Sequence, residues 1–265
     1  MEIIVLPSAE EVAVRAAGIV GEALASATTG DARTSANLGL ATGSSPLGLY
    51  RELTRARRSG EVDLTRVHGF ALDEYVGLPA GHPQSYREVL TKEVCGPVTL
   101  DPANLHVPDG SGSTLDELVT AAAAYDDSIR QLGGIDVQIL GIGSNGHIGF
   151  NEPGSALTSR TRVKRLSDRT RLDNARFFGE PEEVPTHCVT QGLGTILEAR
   201  ALVLVATGPG KAAAVAAAVE GPLTASCPAS VLQWHARATV VVDEDAATGL
   251  RNREYYAEAA AGLRD

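Results

Sequence analysis

The chain has 265 residues, enough for one large α/β domain or two small ones, and its 43% hydrophobic and 21% charged residues are ordinary for a globular protein. A formal net charge of −10 argues against a general nucleic-acid binder, because phosphate backbones demand clustered Lys and Arg. No apolar run reaches the ~18 residues of a membrane span. Three widely spaced cysteines and the absence of paired Cys/His spacing favour a reducing compartment and no metal site. We therefore expect a cytoplasmic protein without a nucleic-acid or membrane partner.

Apolar runs and helical patterns alternate along the chain. In chain order they predict strand 2–6, helix 8–27, strand 36–41, helix 45–58, strand 66–72, helix 114–131, strand 135–141, strand 199–206, helix 211–219 and strand 238–242. Capping boxes at 8–11 and 114–117 mark two helix starts, and Ser45 as the cap before Pro46 marks a third. This alternation predicts a mainly parallel, open α/β sheet with helices on both faces.

The stretch 151–190 is the least regular part of the pattern. It is rich in arginine, proline and polar residues, and shows no sustained period. Long irregular segments inside a domain are often functional. We therefore interpret it as a lid-like excursion, with an active-site lid within 155–190.

Two loops after predicted strands suit an anion. In an open α/β sheet, ligands bind beyond the carboxyl ends of the strands. "TGSSP" places small hydroxyl residues and bare N–H groups at a helix start, although a simple capped turn is an alternative. "TGPGK" is too short for a nucleotide phosphate loop, yet Lys211 lies unfavourably at the positive end of a helix. A bound anion would offset that repulsion, and a surface lysine is the competing interpretation.

A third loop, "DEYVGL", places Asp73 and Glu74 where the chain leaves a hydrophobic strand. A carboxylate partly buried there would have a raised pKa and could serve as a base. Aspartate is also common in turns, so a purely structural role stays open.

The fourth loop, "GIGSNGHIGFNEPG" (141–154), carries glycines in the G-x-G-x-x-G spacing. A dinucleotide-binding loop should open a long helix, but Pro153 follows too soon. His147, five residues before Glu152, instead suits an imidazole oriented by a carboxylate, an acid–base pair that works near neutral pH.

Several blocks together resemble the glucosamine-6-phosphate deaminases. "LATGSSP", "LDEYVGL" followed by "HPQSY", "GIGSNGHIGFNEPG", "SRTRVK" and "NARFF" are similar to that family's blocks and occur in its order. The resemblance spans nearly the whole chain. It implies one modified Rossmann-like domain over 1–265 that converts glucosamine 6-phosphate and water into fructose 6-phosphate and ammonia, in amino-sugar catabolism and without a cofactor.

The resemblance also implies residue roles. Asp73 would move a proton between C2 and C1 of the opened sugar. His147 would open the ring, assisted by Glu152 and by Asn145, a position where some members carry Asp. The substrate phosphate would be held by Thr42, Gly43, Ser44, Ser45, Arg176 and Lys211.

Regulation and assembly stay open at this point. Allosteric, hexameric members bind a second sugar phosphate through a Ser, an Arg, a Lys and a Thr. Ser155, Arg162 and Lys164 match the first three, but Arg165 replaces the threonine. Both a homo-oligomer and a monomer are therefore expected possibilities.

Other functions remain as alternatives. A phosphosugar isomerase or a lactonase on the same scaffold is the nearest, and neither releases ammonia. A non-catalytic sugar-phosphate sensor would need neither Asp73 nor His147, and an oxidoreductase is disfavoured by the loop geometry.

Overall fold

A sheet of seven parallel strands forms the centre of the molecule. The computed structural model describes residues 1–29, 33–180 and 183–262. The strands in this part of the chain are β1 (Glu2–Leu6), β2 (Ala36–Leu40), β3 (Val67–Ala71), β4 (Asp73–Tyr75), β5 (Leu105–His106), β6 (Val137–Leu140), β7 (Arg162–Arg165), β8 (His187–Thr190), β9 (Leu202–Ala206) and β10 (Ala238–Asp243). The large sheet has the order β1-β10-β9-β6-β2-β3-β5, and β2, β6 and β9 are buried along their whole length. Burial on both faces explains their continuous apolar runs.

Helices cover this sheet. They are α1 (Ala9–Thr29), α2 (Leu47–Arg58), α3 (Tyr86–Leu90), α4 (Gly96–Val98), α5 (Leu115–Gln131), α6 (Asp168–Phe178), α7 (Leu193–Leu197), α8 (Ala212–Val219) and α9 (Arg253–Gly262). A π-helical turn, Thr91–Cys95, joins α3 to α4, and a 3₁₀ turn, Pro209–Lys211, leads into α8. Within the described ranges no helix is long and apolar enough to span a bilayer.

The predicted α/β class and the six predicted strands are confirmed, with strand bounds that differ by up to three residues. The capping box of Thr114 and Glu117 is also confirmed: the Thr114 hydroxyl accepts the Glu117 N–H at 3.3 Å, and the Glu117 carboxylate accepts the Thr114 N–H. The prediction that Ser45 caps the second helix is wrong. Pro46 already has helical angles and takes the cap position, and no side chain caps the start of α2. The first N–H groups of α2 are therefore left without a side-chain acceptor.

A second sheet has three antiparallel strands in the order β4-β8-β7, and two of them, β7 and β8, belong to the region predicted to be irregular. That prediction is wrong for about half of 151–190, which contains β7, α6 and β8. These elements could not be recognised from the sequence because their side chains are mostly polar. The sequence of β7 is RVKR, and Thr170 is the buried residue of α6. A periodicity of apolar residues cannot report elements that bury so little apolar surface.

Leu72 alone connects β3 of the large sheet to β4 of the small one. Its N–H donates to the Leu40 carbonyl at 3.0 Å, and its carbonyl accepts the Gln191 N–H at 2.7 Å. The chain therefore passes from one sheet to the other within a single hydrogen-bonded residue.

Candidate active site

The four loops that carry the predicted site residues follow β2, β3, β6 and β9. These strands are neighbours in the order β9-β6-β2-β3, and all of their pairings are parallel. Their carboxyl ends therefore share one edge of the sheet, the usual ligand edge of such folds. Ser45 and Gly141 mark the contact of two loops, since a Cβ added at Gly141 would lie 3.5 Å from the Ser45 Cβ.

Asp73 begins β4 and is buried, with 4% of its surface exposed. It is paired in register with Thr190 of β8, whose hydroxyl lies 3.5 Å from Asp73 Oδ2. Burial, reinforced by the neighbouring charge of Glu74, raises the pKa of Asp73 to about 8, against the opposing hydrogen bonds from Thr190 and the Phe150 N–H. This carboxyl therefore exchanges protons near neutral pH, as a general base requires.

Glu74 has a different role from its neighbour. Its carboxylate accepts backbone N–H groups from Tyr75, Tyr86 and Arg87, at 2.8, 2.9 and 3.0 Å. Two of these donors belong to the first turn of α3, so Glu74 satisfies the open end of that helix. Of the two carboxylates singled out from the sequence, Asp73 is the one left for chemistry.

The glycines of the 141–154 loop make room for a histidine. The Gly143 N–H donates to the His147 carbonyl at 2.9 Å, and a Cβ on Gly143 would lie 2.2 Å from His147 Cε1. Gly146 has φ +83°, a conformation that glycine adopts without strain. Gly143 thus makes room for the imidazole, whereas Gly146 lies against Cys227.

His147 lies near Glu152 but is not bonded to it. The distance from His147 Nδ1 to Glu152 Oε2 is 3.9 Å, longer than a hydrogen bond, and Nδ1 is buried with no hydrogen-bond partner among the described residues. Burial lowers the pKa of His147, and the Glu152 charge only partly opposes this. The imidazole is therefore mostly neutral at neutral pH, with one ring nitrogen available.

Glu152 is held by three donors. Its carboxylate accepts hydrogen bonds from the Thr170 hydroxyl, from the Ser167 hydroxyl at 2.8 Å and from Asn145 Nδ2 at 2.8 Å. Burial opposes its ionisation, but these bonds outweigh burial and lower the pKa of Glu152. Asn145 also accepts the backbone N–H of His147 at 3.2 Å. Asn145 therefore acts on the main chain of His147 and on Glu152.

The proposed phosphate ligands surround this cluster. Thr42, Gly43, Ser44 and Ser45 lie between β2 and the uncapped start of α2, and Gly43 has φ +87°. Lys211 Nζ donates to the Ile142 carbonyl of the 141–154 loop at 2.7 Å. Burial lowers the pKa of Lys211, and the charge of Arg176 on α6 lowers it further. Arg176 is exposed, with its guanidinium 4.8 Å from the ring centroid of Phe177.

Two of the three candidate effector residues contact each other. Arg162 Nη2 donates to the Ser155 hydroxyl at 3.2 Å, and Nη1 donates to Asn151 Oδ1 at 2.9 Å. Ser155 is 2% exposed. Lys164 lies two residues further along β7, on the same face of the strand as Arg162. Arg162 therefore already has acceptors within its own chain.

A family described as glucosamine-6-phosphate isomerases/6-phosphogluconolactonase matches residues 7–241. The chain belongs to this family. A glucosamine-6-phosphate deaminase of Rhodococcus opacus is 58% identical over 207 residues, which cover 78% of this chain and 79% of the relative. A second, from Streptomyces avermitilis, is 55% identical and covers 82% of both chains.

Solved structures of the family share the fold. A monomeric glucosamine-6-phosphate deaminase superposes with a TM-score of 0.86 at 35% identity and covers 94% of this chain and 100% of its own. A 6-phosphogluconolactonase from Trypanosoma cruzi superposes with a TM-score of 0.72 at 22% identity and covers 94% and 97% of the two chains. The second likeness bears on the fold alone.

In this family member, three hydroxyl groups of the site were not predicted from the sequence, those of Ser167, Thr170 and Thr190. Ser167 had a detectable signal, because it caps α6 and accepts the Thr170 N–H at 3.1 Å, a common helix start. Thr190 had none, since only the pairing of β4 with β8 brings it to Asp73. In the described part of the chain no group of three or more His, Cys, Asp or Glu side chains could hold a metal ion.

Proposed function

We propose that the protein is a glucosamine-6-phosphate deaminase that converts glucosamine 6-phosphate and water into fructose 6-phosphate and ammonia, without a cofactor, in amino-sugar catabolism. One observation carries the proposal beyond the family: a single loop joins the two candidate catalytic groups. The 141–154 loop carries His147 and Glu152. At Gly149, an added Cβ would lie 3.3 Å from Asp73 Oδ2, so the same loop also borders Asp73.

Ring opening is the work of His147 in this proposal. The neutral imidazole takes the proton of the anomeric hydroxyl and returns a proton to the ring oxygen. Glu152, kept ionised by its three donors, lies 3.9 Å from Nδ1 and stabilises the imidazolium formed in between. Asn145 fixes the Glu152 carboxylate relative to the backbone of the 141–154 loop.

Asp73 carries the aldose–ketose step. Its carboxylate removes the proton from C2 of the open sugar while the C1 carbonyl oxygen takes up a proton given up by the C2 ammonium, which gives an enolamine. Asp73 then returns its proton to C1, which leaves an iminium at C2. Water adds at C2 and ammonia departs. Because an ammonium on the substrate favours the ionised form of a nearby carboxyl, substrate binding itself shifts Asp73 toward the active base.

The phosphate is held away from the reacting carbons. The uncapped N–H groups of α2, the Thr42–Ser45 loop, Lys211 and Arg176 supply the donors and positive charge that a phosphate dianion requires. Fixing that end orients C1 and C2 over Asp73. We assign α6, within 155–190, as the lid, because it carries Arg176 and borders the site through Thr170.

We also propose a monomer in a reducing, cytoplasmic compartment. The solved relative with a TM-score of 0.86 is described as monomeric. Cys95, Cys188 and Cys227 are free and buried, which suits a reducing compartment. Light scattering on the purified protein would test the assembly.

A coupled assay tests the function. Purified protein is incubated with glucosamine 6-phosphate while ammonia and fructose 6-phosphate are followed separately, and we expect the two in equal amounts. Asp73→Asn should lose about 10²–10⁴-fold in rate while binding the phosphosugar nearly normally. An isomerase or a lactonase would release no ammonia, and near wild-type turnover in Asp73→Asn would exclude Asp73 as the base.

A further inference from the structure

A buried tyrosine lies between the two halves of the proposed phosphate grip. Tyr75 ends β4, two residues after Asp73, and is 2% exposed. Its ring lies 4.9 Å from the ring of Tyr86, 5.6 Å from that of Phe150 and 5.4 Å from that of Phe178. The side chain is therefore fixed on several sides by other aromatic rings.

The Tyr75 hydroxyl receives two donors from different parts of the chain. Asn174 Nδ2 of α6 donates to it at 2.9 Å, and the Tyr86 hydroxyl of α3 donates to it at 3.3 Å. Burial raises the pKa of both phenols, so both keep their protons. The Thr42 side chain lies near the Tyr86 hydroxyl, where it lowers the pKa of Tyr86 against the larger effect of burial.

The hydrogen bonds form a series, Tyr86–Tyr75–Asn174, and Thr42 lies beside its first member. Thr42 belongs to the β2–α2 loop, and Asn174 lies two residues before Arg176 on α6. The series thus lies beside one group of proposed phosphate ligands at its first member and beside another at its last.

We propose that Tyr75 is a positioning residue for phosphate recognition, because its hydroxyl fixes helix α6, and with it Arg176, relative to the Thr42 loop. This inference rests on the proposed function. It assigns Tyr75, Tyr86 and Asn174 a role that the reaction chemistry does not require of them.

Other contacts within the described residues also hold α6, including the stacking of Phe178 on the His82 ring. Thr170 at its start is bound to Glu152, and Arg171 donates to the Val184 carbonyl at 3.1 Å. In the second half, where Arg176 lies, Asn174 supplies the bond to Tyr75, and Phe178 packs edge-on against the Tyr75 ring. Loss of the Tyr75 hydroxyl should therefore loosen the arginine end of α6 while leaving the Glu152 end in place.

The test is Tyr75→Phe, which removes the hydroxyl and keeps the ring. The KM and kcat for glucosamine 6-phosphate, and the Kd for inorganic phosphate by calorimetry, are measured. We expect both KM and the phosphate Kd to rise together by about fivefold to tenfold, the effect of losing one or two neutral hydrogen bonds, with kcat changed less than about twofold. Tyr125→Phe is the matched control: its buried hydroxyl donates to the Ala71 carbonyl at 2.7 Å, so phosphate Kd should not change.

A double-mutant cycle separates this role from general stability. Asn174→Ala, on the surface side of the series, should reproduce the loss of phosphate affinity, and adding Tyr75→Phe should cost little more. A wild-type phosphate Kd in either single variant, or full additivity of the two losses, would overturn the proposal, as would absence of phosphate binding to the wild type. If the wild type binds phosphate with the expected cycle but releases no ammonia, the proposed reaction fails and the positioning role stands.

Discussion

Replacing the proposed base should make the protein more stable, by an amount that depends on pH. Asp73 is buried, and its pKa is raised from an ordinary 3.8 to about 8. At about 1.4 kcal/mol for each pH unit between the folded and unfolded pKa, keeping this carboxyl in the folded state costs roughly 5 kcal/mol at pH 8 and less than about 2 kcal/mol at pH 5. Because the folded state binds the proton more tightly, this cost grows as pH rises from 4 to 8. The uncharged amide of Asp73→Asn would carry no such cost, and its oxygen can still accept the Thr190 hydroxyl.

Urea unfolding of the wild type and Asp73→Asn from pH 5 to pH 8 measures this. The stability gained by the variant should be about 3–4 kcal/mol larger at pH 8 than at pH 5. Glu220→Gln is the control: although burial opposes ionisation, hydrogen bonds led by the Arg251 and Asn252 N–H groups lower the pKa of Glu220 to about 2. Its contribution is complete above its unfolded pKa, so the cost of that variant should be constant over this range. A stability difference for Asp73→Asn that is also constant would refute the raised pKa and the assignment built on it.

Three further outcomes are expected. Asn145→Asp replaces the donor 2.8 Å from Glu152 with a second carboxyl. The variant should stay active, and the acid limb of kcat should move to higher pH because the added negative charge favours imidazolium at His147. A pH profile of kcat for Asn145→Asp that overlays that of the wild type would contradict this expectation. Glu152→Gln should lower activity far more than Asn145→Asp. Lys211→Ala should weaken phosphosugar binding by roughly 1.5–3 kcal/mol with kcat nearly unchanged. If unphosphorylated glucosamine is as good a substrate as the phosphate ester, the phosphate-binding role of Lys211 is wrong. N-acetylglucosamine 6-phosphate should leave a hyperbolic substrate curve unchanged, since Arg162 is already bonded within the chain; a lowered apparent KM would show an open effector site.

The large sheet and the order of its loops could be predicted from the sequence, but little of the small sheet could. Strands such as β2, β6 and β9 are buried on both faces, so their apolar runs stand out. The segments β7 and α6 bury few apolar side chains and left no period to detect.

The roles of neighbouring site residues could not be divided from the sequence. Asp73 and Glu74 were equivalent there, and only the three N–H groups around Glu74 distinguish them. The pairing of Thr190 with Asp73 spans 117 positions, and no local pattern predicts such a contact. Likewise, the spacing suggested an acid–base pair of His147 and Glu152 but not its geometry, in which 3.9 Å separate His147 Nδ1 from Glu152 Oε2.

Leu72 joins the large sheet to the small one, and the chain should therefore not accept insertions or deletions at this point. Successive residues of β4 leave the strand on opposite sides, so Asp73 enters the site while Glu74 binds the start of α3. Deletion of one residue beside Leu72 would put Glu74 at the base position and Tyr75 at the α3 position, leaving α3 without its acceptor and a longer side chain where the base belongs. An insertion would instead move Asp73 to the α3 position and leave the base position to the inserted residue. Insertions in this lineage should therefore fall in other loops, and grafting the "LDEY" segment into a related scaffold should succeed only if the spacing to β3 is kept.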